Sequence, residues 1–129
     1  MDIDPERLNS YSRELLKFLL SRKSHSVFCK DVNSHYFTCN DRFLVDCGLD
    51  SVTNIVGKSD YDLLWTKEEA AFYRLVDQEV LVGGVIKPKF VEAQTDYRGK
   101  QRWVETSKFP LVGLDGKILG LIGHYHQLD

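Results

Sequence analysis

The chain has 129 residues, of which 43% are hydrophobic and 28% charged, and its formal net charge is −2. These values predict one soluble domain with a sizeable core, and the lack of a basic block argues against direct contact with nucleic acid. No apolar run reaches the roughly 18 residues of a membrane span, and the first residues do not resemble a secretory leader, so we expect a cytoplasmic protein.

The first 24 residues predict an amphipathic helix. Asp4 is a favourable N-cap, and Pro5 suits the first helical position. One apolar stripe is formed by Leu8, Tyr11, Leu15, Phe18 and Leu19. Leu16 and Leu20 widen the stripe beyond what one neighbouring surface requires, so we expect the helix to have two packing partners.

Short elements follow this helix. Residues 26–32 and 36–39 predict two strands joined by a turn. Three short helical turns are predicted next, with N-caps at Asn40, Ser51 and Asp60.

A longer helix is predicted after these turns. Thr66 and Glu69 form a capping box at its start, and Gly83 and Gly84 end it. Its expected buried stripe is formed by Phe72, Val76 and Val80.

The last third of the chain predicts three antiparallel strands, at residues 89–96, 102–111 and 118–125. Gly99 and Gly116 lie where tight turns between these strands need a positive φ. The strands are apolar on both faces, so both faces of their sheet must be covered.

Several short sequence motifs carry a family resemblance, and they occur in order over residues 25–127. They are Phe28-Cys29-Lys30-Asp31, Asn40, Phe43, Gly57-Lys58-Ser59-Asp60-Tyr61-Asp62-Leu63, residues 65–70, residues 99–103, residues 106–111, and Asp115-Gly116-Lys117 with Gly120. The chain is similar in these motifs to the PAS family of sensory domains, in particular to those of sensor kinases and related bacterial signalling proteins.

The resemblance implies an α+β fold. A five-stranded antiparallel sheet in the order 2-1-5-4-3 would carry the short helices and the longer helix on one face. The other face would be covered by the N-terminal amphipathic helix or by a partner subunit. We therefore divide the chain into a capping and dimerisation helix, residues 1–24, and a PAS domain, residues 25–129.

The cofactors of other PAS domains are not expected here. Asp60 stands where flavin-binding members have their reactive cysteine, and the helix predicted at residues 66–82 lacks the histidine that usually binds haem. His124 and His126 share a strand face but have no further candidate metal ligands. The three cysteines form no CxxC pair, and we expect them to be reduced.

No catalytic motif is present, so we expect no enzymatic activity. A pocket for a small polar metabolite is expected between the sheet and the helices. Its predicted residues are Phe43, Ile55, Trp65, Phe72, Val76, Phe90, Glu92, Gln94, Val104, Thr106, Lys108, Leu121 and Tyr125.

The polar residues of this set allow two interpretations. In one, Glu92 pairs with Lys108, and Gln94 bonds to Thr106 or Tyr125, within a filled core. In the other, a ligand satisfies these groups.

The function expected from the resemblance is a sensory and dimerisation module that controls a fused output domain absent from this chain. A histidine kinase is the first expectation for that output, and a DNA-binding transcription regulator or a cyclic-dinucleotide enzyme is the alternative. A purely structural dimerisation domain with a filled core is a further alternative. The homodimer interface is expected to contain Leu8, Tyr11, Leu15, Leu16, Leu19, Leu20, Trp103, Ile118 and Ile122.

Overall fold

Five strands pair into one antiparallel sheet in a computed structural model that describes residues 3–128. The order in the sheet is β2-β1-β5-β4-β3, which confirms the predicted topology. The strands are β1 (Ser26–Asp31), β2 (Tyr36–Cys39), β3 (Lys87–Thr95), β4 (Gln101–Val112) and β5 (Ile118–Gln127). Met1, Asp2 and Asp129, at the outer ends of the two predicted segments, lie outside the described residues.

The two hairpins of the long strands form as the glycines predict. Gly99 has φ 79° and Gly116 has φ 84°, conformations in which a side chain would be strained. Asp96 supports the first turn by accepting hydrogen bonds from the backbone N–H groups of Arg98 and Lys100. These local interactions set the register of β3 against β4 and of β4 against β5.

Three helices accompany the sheet: α1 (Ser10–Leu20), α2 (Asp41–Cys47) and α3 (Lys67–Leu81). Asn40 caps α2 by accepting from the Phe43 N–H at 3.1 Å. The capping box predicted at α3 is present, with Thr66 and Glu69 each accepting from the other's backbone N–H. Helices α2 and α3 lie over the same face of the sheet, which we call the inner face.

The first helix begins later than predicted. Asp4 and Pro5 start only a single turn of 3-10 helix, Pro5–Arg7. Leu8 is then extended and pairs with Gly113 at the end of the sheet, while Asn9 caps α1 by accepting from the Ser12 N–H at 2.8 Å. The predicted helix from Pro5 onward is wrong because backbone pairing with the sheet outweighs local helix propensity.

Helix α1 covers the outer face of its own sheet. Leu8, Leu16 and Leu19 are buried there. They pack with a cluster formed by Val27, Cys29, Phe37, Leu111 and Ile122. Leu8, Leu16, Leu19 and Ile122, which we expected at a dimer interface, are therefore buried within one chain.

The buried stripe of α1 is rotated relative to the predicted one. The Ser12 hydroxyl accepts from the Val112 N–H at 2.8 Å, which turns Ser12 toward the sheet. Tyr11 and Phe18 consequently point outward and are 65% and 62% exposed. Leu15 and Leu20 are half-buried at the border of the cluster.

Two further residues of the predicted interface lie elsewhere. Trp103 is 61% exposed, because α1 does not extend over that part of the sheet. Ile118 packs with the cluster on the inner face, and Leu119 takes the outer position instead. The register shift between Leu111 and Val112 accounts for this inversion, since it changes the alternation at the start of β5.

Adjacent residues of α1 provide a test of this packing. Leu19→Ala should lower the free energy of unfolding by about 2–5 kcal/mol, because it leaves a cavity under the helix. Phe18→Ala should cost at most about 1 kcal/mol, since Phe18 is exposed and its one ring contact is with the Arg22 guanidinium. Urea unfolding of both variants measures the difference. Equal costs would contradict the observed orientation of α1.

Candidate ligand site

A small internal cavity lies between the inner face of the sheet and helices α2 and α3. Its volume is about 20 Å³. Polar and aromatic side chains enclose it: Phe28, Lys30, Tyr36, Phe43, Asp60, Trp65, Tyr73, Glu92, Gln94, Lys108 and Tyr125.

Phe28 occupies its place because β5 has a glycine beside it. A Cβ on Gly123 would lie 2.3 Å from the ring atom Cζ of Phe28. The absence of a side chain there lets the Phe28 ring lie against β5, where it also contacts the rings of Phe43 and Tyr125.

Four buried charges form a chain beside the cavity. Lys30 Nζ lies 2.6 Å from Asp60 Oδ2 and 2.7 Å from Asp77 Oδ2. Lys108 Nζ lies 2.7 Å from Asp77 Oδ1. All four side chains are at most 1% exposed. Two lysines thus balance two aspartates, which limits the large cost of placing charges away from water.

Neutral groups complete this network. Asp60 Oδ1 accepts hydrogen bonds from the Tyr36 hydroxyl and, at 3.1 Å, from Trp65 Nε1. The Lys30 ammonium lies 4.8 Å from the ring centroid of Tyr36, a cation–π distance. The charges are therefore held in fixed positions by several elements at once.

The ion pairs shift the pKa values of Lys30 and Asp77 toward their charged forms. Burial alone would lower the pKa of Lys30, but Asp60 and Asp77 outweigh burial and raise it. Burial alone would raise the pKa of Asp77, but Lys108 and Lys30 lower it to about 2. The stability contributed by Asp77 is thus present above its ordinary value of 3.8 and is lost as the pH falls toward about 2.

Glu92 differs from the other charged groups of the site. Its Oε2 accepts from the Thr106 hydroxyl at 2.7 Å. Its Oε1 is buried and has no hydrogen-bond partner among the described residues. Burial raises the pKa of Glu92, although Lys108 opposes this shift. The cavity beside it has room for about one water molecule.

The structure brings together most of the predicted pocket residues. Those that line the cavity are Phe43, Trp65, Glu92, Gln94, Lys108 and Tyr125. Those that are buried around it are Ile55, Val76, Val104, Thr106 and Leu121. The members of this set on β3, β4 and β5 share the inner face because of strand alternation, as predicted, and α2, α3 and the segment between them supply the others.

Two predicted pocket residues lie outside the cavity. Phe72 is 43% exposed, because the neighbouring Tyr73 takes the inward position on α3. Phe90 is only half-buried on β3, which is an edge strand of the sheet. The register of β3 shifts between Lys87 and Phe90, just before this residue.

The polar partners differ in part from those predicted for a filled core, although the predicted hydrogen bond between the Gln94 and Tyr125 side chains is present. Lys108 forms its ion pair with Asp77 instead of Glu92. Gln94 Oε1 accepts from Arg102 Nη2 at 2.6 Å, and the Tyr125 hydroxyl donates to Asp46 at 2.7 Å.

Sequence reasoning missed the residues that hold the charges. Asp60 was predicted as an N-cap, but Ser59 caps that turn and Asp60 points into the core. Asp77 lies on the same buried stripe of α3 as Tyr73 and Val80. The signal that could have identified Asp77 is a carboxylate at a position where the helical repeat places buried apolar residues.

The two histidines considered as metal ligands belong to a stack of three. His25 lies parallel to His124 and nearly parallel to His126, with centroid distances of 5.1 and 4.9 Å. Burial, followed by the charge of His25, lowers the pKa of His124 to about 4. No group of three His, Cys, Asp or Glu residues within 3–128 is arranged to hold a metal ion.

The cysteines are free thiols in the core. Cys29, Cys39 and Cys47 are all buried. Burial raises the pKa of each thiol, to about 12 for Cys39. Thiols with such pKa values are protonated at neutral pH and are weak nucleophiles.

The fold and the family comparison agree. The model of the PAS fold family matches residues 21–128, and the chain belongs to this family. PAS domains are sensory or regulatory domains. The search of curated proteins gave no match. None of the helices among the described residues is long and apolar enough to span a membrane.

Several solved structures share the fold. The VqmA dimer of Vibrio cholerae has a TM-score of 0.75 and 23% identity over 90% of this chain and 52% of its own. The phage VqmA–DPO complex has a TM-score of 0.71 and 24% identity over 93% of this chain and 54% of its own. The PAS domain of Bordetella pertussis BvgS has a TM-score of 0.59 and 16% identity over 89% of this chain and 84% of its own. The chain thus spans about half the length of the VqmA chains.

The ion network provides a second test. Asp77→Ala should destabilise the fold by about 3–5 kcal/mol, because the buried Lys108 then loses its carboxylate partner and Lys30 keeps only Asp60. Gln78→Ala changes the neighbouring exposed residue of the same helix and should stay within about 0.5 kcal/mol of the parent. Chemical unfolding at pH 7 compares them. A small effect of Asp77→Ala would mean that the four charges are not arranged as described.

Glu92 should show the opposite behaviour. Its folded pKa is raised, so its ionised form opposes folding above that pKa, and the penalty fades as the pH falls toward the ordinary value of 4.5. Glu92→Gln should therefore stabilise the ligand-free protein at pH 8 and leave it nearly unchanged at pH 4. Thermal unfolding at both pH values measures this. A variant less stable than the parent at pH 8 would contradict the inferred cost of the buried carboxylate.

Proposed function

We propose that this PAS domain senses a small polar organic molecule, which binds at the internal cavity and thereby controls an output domain. The observation that carries the proposal is the buried Glu92 oxygen without a partner, next to a cavity bounded by aromatic rings and fixed charges. Leaving such an oxygen unsatisfied costs about 1–3 kcal/mol, which a ligand donor would recover.

Binding at this position would act on the end of the sheet. The cavity is lined by Tyr125, whose hydroxyl donates to Asp46 on α2, and Arg102 on β4 lies 3.2 Å from the same carboxyl group. A ligand that moves Tyr125 would therefore alter contacts among β5, α2 and β4. The movement would reach the final strand and any domain that follows it.

A DNA-binding transcription regulator is the output that we favour over a histidine kinase. The support is the likeness to VqmA. One of its structures is described as a dimer in the absence of target DNA, and the same description refers to DNA binding by LuxR-type receptors. In this proposal the DNA contact belongs to the output domain, and the PAS domain has none of its own. The histidine kinase and the cyclic-dinucleotide enzyme stay untested predictions, as does a cytoplasmic location.

A structural dimerisation domain with a filled core is the second candidate. The cavity volume of about 20 Å³ favours it, because ligand pockets usually have about 300–1,000 Å³. Under the sensory proposal the aromatic side chains around the cavity must move to admit a ligand.

Native mass spectrometry of freshly purified protein distinguishes the two candidates. The sensory proposal predicts a retained small molecule, or a gain in melting temperature on addition of cell metabolites or of DPO, the molecule bound by phage VqmA. Glu92→Gln should abolish or weaken this response at least tenfold. Glu105→Gln makes the same chemical change on the opposite face of the sheet and serves as the matched control. A protein that retains nothing and responds to none of these additions would support the filled-core candidate.

We also propose a homodimer formed through α1. Tyr11, Leu15 and Phe18 form a strip on its outward side, and Tyr11 and Phe18 are more than 60% exposed. Phe18→Glu should convert the dimer to a monomer by placing a charge in the apolar seam, whereas Lys17→Glu should not. Analytical ultracentrifugation gives the result. A parent chain that is already monomeric at high concentration would refute the proposed seam.

A further inference from the structure

An open groove runs between the N-terminal half of α3 and the edge strand β3. Its volume is about 480 Å³, far larger than the internal cavity. Three aromatic residues, Phe72, Tyr73 and Trp103, and three acidic residues, Glu68, Glu69 and Glu92, contribute to its lining.

Two of the three aromatic residues of the groove are unusually accessible. Trp103 is 61% exposed and Phe72 is 43% exposed, and Val91 between them is 52% exposed. Neither helix α1 on the outer face nor the cavity on the inner face accounts for them. Aromatic side chains that remain uncovered beside a concave surface are typical of a binding site.

The charge of the groove has one sign. Ten residues line it, and none is a lysine or an arginine. The Glu69 carboxylate is already used, since it accepts from Thr66, Thr95 and Gln101. The groove therefore has negative charge and no cationic side chain in its lining.

Glu92 connects the groove to the internal cavity. It lines both spaces, as does Tyr73, whose hydroxyl donates to the Ala93 carbonyl at 2.5 Å. Glu92 is only 8% exposed, and its Oε1 has no partner in the part of the chain that the structure describes. Glu92 thus lies at the boundary between the aromatic groove and the network of fixed charges.

We propose that the groove is the outer part of the sensory site and that it admits an organic amine, with its apolar body against Trp103 and Phe72 and its ammonium group on Glu92. The inference rests on the proposed function and names the ligand class. Aromatic faces attract cations, and a hydrogen bond between an ammonium group and a carboxylate is stronger than one between neutral groups. An anion of the same shape would meet only carboxylates.

Three probes of one shape and different charge test the ligand class: 2-phenylethylamine, 2-phenylethanol and 3-phenylpropanoate. We expect the amine to bind at least tenfold more tightly than the alcohol and the carboxylate not to bind measurably. Equal binding of amine and alcohol, or no binding of the amine at millimolar concentration, would overturn the proposal.

The two tryptophans of the chain report where a probe binds. Trp103 lies in the groove, whereas Trp65 lies at the internal cavity with its Nε1 bonded to Asp60. Their indole N–H signals in a ¹⁵N–¹H NMR spectrum, assigned with Trp103→Phe, are therefore separate reporters. We expect the amine to shift the Trp103 signal. A shift of Trp65 alone, or no shift of either signal, would refute the groove while leaving the cavity sensor to be decided by the native mass spectrometry described above.

Three single substitutions complete the test, one on β3 and two on α3. Glu92→Gln and Phe72→Ala should each weaken amine binding at least fivefold. Phe72 is exposed, so its removal leaves folding intact. Leu75→Ala removes an apolar side chain that is 63% exposed on α3 outside the groove and should leave the affinity unchanged. An equal loss in Leu75→Ala would show that the probe binds apolar surface without selection.

Discussion

Asp77 holds the two lysines of the core, and the position of the inner helices depends on this interaction. Its two carboxylate oxygens receive Lys30 from β1 and Lys108 from β4, so one residue of α3 is fixed against two separate strands. Asp60 anchors the preceding turn to the same Lys30. Hydrophobic contacts alone would tolerate more than one position of α3 on the sheet. A shift of α3 would instead separate buried charges from their partners, which is strongly unfavourable. The network thus specifies where the helical layer lies, whatever its net contribution to stability.

The distinction between Asp77 and Glu92 separates structure from sensing within one site. Asp77 has two cationic partners and a lowered pKa, and it resists perturbation. Glu92 has one hydroxyl partner, an unpaired oxygen and a raised pKa. A residue that destabilises the folded state is commonly retained because a function requires it. Under the proposed function, the β3 side of the site would respond to a ligand, whereas β1 and α3 are held by the ion pairs.

Strand order, hairpins and most helix caps could be predicted, because glycine turns and capping residues act over a few positions. Inward residues such as Val104 and Leu121 followed from alternation. The start of α1 could not be predicted, since Leu8 pairs with Gly113 across the sheet and no local pattern reports this. The charge partners were missed for the same reason. Lys108 faces Asp77 across 31 positions of sequence, and Glu92 was only a plausible nearer candidate.

The close approach of Phe28 to Gly123 has a consequence for how such a domain changes its specificity. The Phe28 ring lines the cavity, and it can lie there only because Gly123 has no side chain. Phe28 therefore limits the capacity of the site, and the ammonium groups of Lys30 and Lys108 lie over its ring at 5.4 and 5.8 Å. Shortening residue 28 would enlarge the chamber without disturbing any ion pair, while a methyl group at position 123 would push the ring upward and close it. Residues 28 and 123, which pair on adjacent strands, thus control the size of the cavity. Substitutions at these two positions could adapt related domains to larger or smaller ligands.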